Sequence, residues 1–296
     1  MKQEDLTVIV PLYNEEEFLS SLMAELVPYC NNYGWRLILV DDGSTDETGT
    51  ILQKYAEYEG VQIISHKLNR GYGAAIKSGI RVADTTYAVT IDGDGQHYLS
   101  DINKLMKFAI ETDADLVVGN RGSDTSNAYR MMGKHIIRFV AKLLMDVPIQ
   151  DLNSGLKLHR TQLAKKYINV CPDSMAFSEF ITLVYINYRD LVLEFPVRIR
   201  ERQGGKSTIN ILNAFEAVAE IINLIVLFKP LRVFLFLSFS AIIVGFVWGV
   251  RFVLQGRGVS VGSMLAIVIG VLLFSLGLLA KQLSTIYLSM ISQEQK

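Results

Sequence analysis

Two apolar stretches without a single charged residue, Val233 to Val250 and Gly258 to Ala280, constrain this chain more than any other feature. At ~1.5 Å rise per residue they reach ~27 and ~34 Å as helices, enough to cross a hydrocarbon core. Helices buried in a soluble protein seldom run so far without a charge, so both are expected to span a membrane. The link Gln255-Gly256-Arg257-Gly258 is short. The spans should therefore form a hairpin that returns the chain to the side it left. Gly245, Gly249, Gly262, Gly270 and Gly277 allow close helix packing and, with it, a homo-oligomer. Lys229, Arg232 and Lys281 at one end balance Arg251 and Arg257 at the other, so charge gives no orientation.

The chain before Lys229 has a different character. Hydrophobic residues make up 50% of the whole, yet up to Gly205 charges are interspersed as in an ordinary α/β domain. The first residues, Met1-Lys2-Gln3-Glu4-Asp5, are polar and lead into a strand, so no signal peptide is expected. Cys30 and Cys171 are too few for a disulfide framework or a zinc cluster. A net charge of −1 offers nothing to nucleic acid.

Apolar runs predict strands over Leu6–Leu12, Trp35–Val40, Val61–Ser65 and Tyr87–Ile91. Helices are expected over Glu15–Tyr29, over Asp46–Tyr58 with Ser44 or Thr45 as its cap, and from the Asn69–Gly73 loop to Ala83. This alternation implies a mainly parallel sheet covered on both faces. Tyr13-Asn14-Glu15, Asp41-Asp42 and Asp92-Gly93-Asp94 follow successive strands. Ligands of such sheets bind beyond the carboxyl ends of the strands, so these clusters should converge on a site. Between Ile211 and Phe228 apolar residues recur at three- and four-residue steps. That pattern suits an interfacial helix lying on the bilayer and a core helix equally well.

Asp92-Gly93-Asp94-Gly95-Gln96-His97 is the chemical centre. Two carboxylates two residues apart, on a turn loosened by glycines, can aim oxygens at one hard cation. Mg²⁺ or Mn²⁺ completes such a shell with phosphate oxygens and water. A carboxylate at Asp41 or Asp42 can accept a ring N–H of uracil or guanine, or serve only to cap a helix. Gly71-Tyr72-Gly73 follows the third strand and not the first, which excludes a nicotinamide fingerprint.

Three motifs in this order, Val8-Ile9-Val10-Pro11-Leu12-Tyr13-Asn14-Glu15-Glu16, Val40-Asp41-Asp42-Gly43-Ser44-Thr45-Asp46 and Asp92-Gly93-Asp94-Gly95-Gln96-His97, resemble family 2 of the glycosyltransferases. Gly119-Asn120-Arg121, Asp151–Lys157 and Arg202–Ser207 extend the likeness to the dolichol-phosphate mannose and polyprenyl-phosphate glucose synthases. The resemblance implies a GT-A fold (Rossmann-like, mainly parallel) over residues 1–210, an interfacial helix over 211–230 and a membrane hairpin over 231–296. It implies that Pro11, Tyr13, Glu15 and Asp41 or Asp42 hold base and ribose, with Asp92 and Lys206 also binding substrate. Asp92, Asp94 and Gln96 would hold Mg²⁺ or Mn²⁺. Asp94, Arg121, Arg130 and Lys134 would carry catalysis, the arginines on the phosphates and Lys134 sharing their task.

The implied activity is inverting transfer of a sugar from a nucleotide-sugar to polyprenyl phosphate. A UDP-sugar such as UDP-glucose is favoured and GDP-mannose stays open. The resemblance places the enzyme in the inner membrane, with the domain and both termini cytoplasmic. A processive polysaccharide synthase is disfavoured, since two helices make no pore and Gln-x-x-Arg-Trp is absent. A non-catalytic nucleotide-sugar sensor is the remaining alternative.

Overall fold

The computed structural model describes residues 5–122, 148–200 and 226–293. Residues 5–122 and 148–200 make one unit and residues 226–293 a second. Arg130, Lys134, Lys206 and residues 211–225 of the expected interfacial helix lie outside the described residues.

Seven strands make the sheet of the first unit: β1 (Leu6–Leu12), β2 (Arg36–Asp41), β3 (Val61–Ser65), β4 (Tyr87–Thr90), β5 (Leu116–Asn120), β6 (Lys157–Arg160) and β7 (Val192–Pro196). Their order is β3-β2-β1-β4-β6-β5-β7. β1 is buried along its whole length, as an unbroken apolar run requires. Its neighbours β2 and β4 run parallel to it, as does β3 beside β2. β6 runs antiparallel to both β4 and β5, and β7 is parallel to β5. Because β6 is reversed, its first residue, Lys157, pairs with Thr90 and Val118 near the carboxyl ends of β4 and β5. The loop that enters β6 thus joins the loops that leave β1, β2, β4 and β5 along one edge.

Helices α1 (Glu16–Tyr33), α2 (Thr48–Gln53), α3 (Tyr72–Val82), α4 (Leu99–Thr112), α5 (Thr161–Tyr167) and α6 (Phe177–Tyr188) complete this unit. Leu19, Met23 and Leu26 of α1 and Ile102 and Leu105 of α4 bury themselves with Val8, Val10 and Leu39 of the sheet in the main core. α1 runs past its expected end, through Pro28, to a left-handed Gly34. Packing of Leu26, Val27 and Cys30 outweighs the hydrogen bond that Pro28 removes. α2 is shorter than expected, and neither Ser44 nor Thr45 caps it. Ser44 Oγ accepts the Asn14 amide instead, and Asp46 Oδ1 accepts that of Thr48.

The second unit is a pair of helices, α7 (Pro230–Leu254) and α8 (Val261–Gln293), longer at both outer ends than the uncharged stretches. Their apolar windows have mean hydropathies of 2.4 and 2.6 and are only 11% and 17% buried, the reverse of a soluble core helix. Phe236, Phe239, Phe246, Trp248, Leu272 and Leu279 are exposed, as lipid-facing side chains are. Together they pair as a hairpin of two helices long and apolar enough to cross a membrane. Glycines do pack the helices, but against each other: a β-carbon on Gly245 would lie 2.8 Å from Ser263 O and one on Gly277 2.6 Å from Phe234 Cβ. Ser238 Oγ donates to Gly270 O across the same seam at 2.7 Å.

Candidate active site at the strand ends

The turns after β1 and β2 are laced together. Asn14 takes a positive φ of 52° and its Oδ1 accepts the Thr45 amide at 2.8 Å. The Glu15 amide donates to Thr48 Oγ1 at 2.8 Å, and the Glu47 amide to Glu16 Oε2 at 2.8 Å. Gly43 has φ +71°, and a β-carbon there would sit 2.4 Å from Leu68 C, so only glycine admits the 68–70 segment so close. Tyr13 stands 44% exposed at the mouth of this pair of turns, while Pro11 below it is buried.

The two neighbouring aspartates do different work. Asp41 is buried and its Oδ1 accepts the Ser44 amide at 3.0 Å, shaping the turn from within. Asp42 reaches the other way. Its Oδ1 accepts the Arg70 amide at 3.0 Å and lies 2.6 Å from His66 Nδ1, and its Oδ2 accepts the Gly71 amide at 2.8 Å. Three groups thus meet on this one carboxylate and join the end of β2 to His66 and the start of α3, and His66 Nε2 meets Ser78 Oγ of α3 at 2.9 Å.

Asp92, Asp94 and Gln96 share the turn after β4. Asp94 Oδ1 accepts the Gln96 amide at 3.1 Å, and the Gln96 carbonyl accepts the Arg200 amide at 2.8 Å. Asp92 Oδ1 accepts the Tyr72 hydroxyl at 2.8 Å, and Oδ2 lies 3.5 Å from His97 Nε2. Burial would push the Asp92 carboxyl up. The His97 hydrogen bond and charge, the Tyr72 hydroxyl and the Arg121 charge outweigh it and hold the carboxyl below its ordinary value. A β-carbon on Gly155 would fall 2.1 Å from Asp92 Oδ2, so the loop entering β6 is shaped around this carboxylate.

Arg121 leaves the end of β5 and grips Asp151 with both prongs, Nε to Oδ2 at 2.8 Å and Nη2 to Oδ1 at 2.9 Å. Nη2 also donates to Asn153 O at 3.0 Å. Burial favours a neutral Asp151, but the Arg121 hydrogen bonds and charge overcome it and lower the carboxyl. Glu194 on β7 holds the roots of the same region, accepting the Gln150 and Asp151 amides at 2.5 and 2.7 Å and the Asn120 amide group at 3.1 Å. Behind them Lys157, 1% exposed, donates to Leu152 O at 2.8 Å, to Ser178 Oγ at 3.1 Å and to Ser178 O. Burial pulls its ammonium down to about 7, against the pull of Glu179 and Asp151.

The structure therefore brings Asp92, Asp94, Gln96 and Arg121 to one edge, beside Tyr13, Glu15 and Asp41. Tyr72, Asp151, Lys157 and Glu179 belong to the same charge network and were given no role from sequence. The signal for Asp151 and Lys157 was their place in a matched motif, and Tyr72 stood in the Gly71-Tyr72-Gly73 loop with no role for its side chain; Glu179 had none. Among the described residues no three His, Cys, Asp or Glu side chains form a cage for a metal. Two carboxylates and an amide oxygen on one turn are instead the partial, all-oxygen donor set that suits Mg²⁺ or Mn²⁺ sharing a phosphate. The residues present fit such an ion.

Comparison with known proteins points the same way. The profile of "Glycosyl transferase family 2" matches residues 7–178, and that of the "GtrB C-terminal hairpin" matches residues 229–286. An undecaprenyl-phosphate 4-deoxy-4-formamido-L-arabinose transferase of Edwardsiella ictaluri is 25% identical over 95% of this chain and 89% of its own. A dolichyl-phosphate beta-glucosyltransferase of Trichomonas vaginalis is 28% identical over 69% of this chain and 68% of its own. The crystal structure of glucosyl-3-phosphoglycerate synthase from Mycobacterium tuberculosis with Mn²⁺, UDP-glucose and phosphoglyceric acid superposes with a TM-score of 0.57. It covers 75% of this chain and 80% of its own at 16% identity, a likeness of fold.

Proposed function

The chain belongs to glycosyl transferase family 2, and from that premise we propose that it transfers a sugar from a UDP-sugar to a polyprenyl phosphate, inverting the anomeric centre. The observation that carries this reading is the meeting of the Asp92–Gln96 turn with the Arg121–Asp151 pair at the strand ends, in a chain that also bears two helices long and apolar enough to cross a membrane. Relatives along nearly the full length act on undecaprenyl phosphate, and a neighbour in fold holds UDP-glucose, which supports this acceptor and this donor. GDP-mannose is the second donor to test.

Tyr13 offers an exposed ring for the base, and Asp41 is the better placed of the two aspartates to meet its N–H, since Asp42 is engaged by the 70–71 loop. Asp92, Asp94 and Gln96 would hold Mg²⁺ or Mn²⁺, which supplies positive charge against the diphosphate. Arg121, with Arg130 and Lys134 from beyond the described residues, would face the phosphates. An acceptor phosphate has a second pKa of ~6 and is largely dianionic near neutrality, so it attacks without a general base. One acceptor oxygen bonds to the anomeric carbon as the bond to the nucleoside diphosphate breaks. An α-linked donor then gives a β-linked lipid product. Arg121 stabilises the leaving charge in place, as a preorganised donor should. We assign the domain to residues 1–210, an interfacial helix to 211–230 and the hairpin to 231–296, with the domain and both termini on the cytoplasmic side, where the nucleotide-sugar is met.

The test is product formation. Full-length protein in detergent is mixed with undecaprenyl phosphate, Mn²⁺ and a panel of UDP-glucose, UDP-N-acetylglucosamine, the UDP-linked formamido-arabinose and GDP-mannose. Wild type should form a lipid-linked sugar from at least one UDP-donor, and Asp94→Ala should form none while keeping its fold. Nucleotide-sugar binding with no lipid product from any donor would mark a sensor and sink the proposal.

A further inference from the structure

Asp92 is held from α3 as well as from its own turn. Its Oδ1 takes the hydroxyl of Tyr72, the first residue of α3, at 2.8 Å. Tyr72 has little freedom of its own. The amides of Arg70 and Gly71 just before it are held by the two oxygens of Asp42. On the far side Gly71 and Gly73 lie against the 172–173 backbone so closely that a β-carbon would fall 2.4 Å from Asp173 O or 2.5 Å from Pro172 O. The backbone of Tyr72 is thus wedged between β2's end and the segment before α6.

We propose that Tyr72 is a positioning residue for the donor site: its hydroxyl fixes the Asp92 carboxylate, and Asp42 acts through the 70–71 loop to hold that hydroxyl in place. This rests on the proposed donor reading and adds a line of force to it, from the turn after β2 through α3 to the turn after β4. Partners that orient a ligating carboxylate commonly change metal affinity when removed, without touching the metal themselves. With Tyr72 reduced to phenylalanine the ring still fills its place, but Oδ1 loses its anchor and the carboxylate is free to turn.

Calorimetric titration of the full-length protein in detergent with UDP, with and without saturating Mn²⁺, separates the outcomes. Tyr72→Phe should weaken Mn²⁺-dependent UDP binding by ~10-fold, the lower range for such partners. UDP binding without metal, the KM for undecaprenyl phosphate and the melting temperature should stay as in wild type. Asp42→Asn should lower the same Mn²⁺-dependent affinity, and the double variant should lose no more than the worse single variant, as members of one chain of contacts do. Unchanged Mn²⁺-dependent binding in Tyr72→Phe overturns the proposal. So does loss of metal-free UDP binding together with a lowered melting temperature, which would mark a merely structural tyrosine. Wild type that binds no UDP with Mn²⁺ sinks the donor reading and this inference together; equal binding by wild type and variant sinks this inference alone.

Discussion

Substituting Gly155 by alanine should disable the site without disturbing the fold. Gly155 is not among the glycines with positive φ, so alanine can adopt its backbone. The obstacle is Asp92: the new β-carbon would stand 2.1 Å from Oδ2, 2.2 Å from Oδ1 and 2.3 Å from Cγ. Real β-carbons essentially never approach within 3.0 Å, so the carboxylate must retreat by 3.0 − 2.1 = 0.9 Å or more. The Asp92 side chain is 30% exposed and can swing outward, leaving Tyr72 and His97 behind. A shift of about 1 Å in a positioned group costs on the order of 100-fold in rate. That is about 2.7 kcal/mol of transition-state stabilisation. Initial rates of lipid-linked sugar formation at varied donor should show the fall in kcat/KM, with a melting temperature close to wild type. An unchanged kcat/KM in folded Gly155→Ala would refute the idea that Asp92 works from its cradled position.

Arg121→Ala should cost about 3 kcal/mol of transition-state stabilisation, the scale of one lost charge-stabilising donor. Arg121→Lys should recover only part, because an ammonium cannot grip Asp151 with two prongs; a wild-type rate in either variant would remove Arg121 from the site. His159 is fully buried, and burial, then the Lys157 charge, pull its ring from 6.5 down to about 3. Below pH 6.5 the unfolded chain takes a proton that the folded chain refuses, so stability is lost as pH falls from 6.5 towards about 3. Between pH 7 and pH 5 the loss is about 2 kcal/mol from this residue alone, at ~1.4 kcal/mol per unit. Urea unfolding followed by Trp35 fluorescence should show that loss in wild type and a smaller one in His159→Leu; equal losses would refute it.

The half of the sheet built from β1 to β4 was legible because its strands are plain apolar runs, each followed by a polar turn. β6 was not, and the reason is physical. Lys157-Leu158-His159-Arg160 looks like surface, yet Lys157 and His159 are buried, one satisfied by carbonyls and the other kept neutral. Polarity in sequence reports exposure only where no internal partner or proton shift intervenes. The helix through Pro28 and the curtailed α2 show packing overriding local signals in both directions. For the site, motif spacing singled out Asp92, Asp94 and Arg121, which the fold brings to one edge, but not that Asp41 shapes its own turn and Asp42 holds the 70–71 loop. Asp41 and Asp42 are adjacent in sequence and opposite in task, a distinction only the 70–71 loop reveals.

The reversed β6 has a wider consequence. β5 ends and β6 begins at the same edge of the sheet, on neighbouring strands, and the residues just beyond those two ends are secured by Glu194 and the Arg121–Asp151 clasp. With both ends fixed in this way, the chain between them can change in length while every strand keeps its register. The turns that bear Asp41 and Asp94 meanwhile stay where the parallel strands put them.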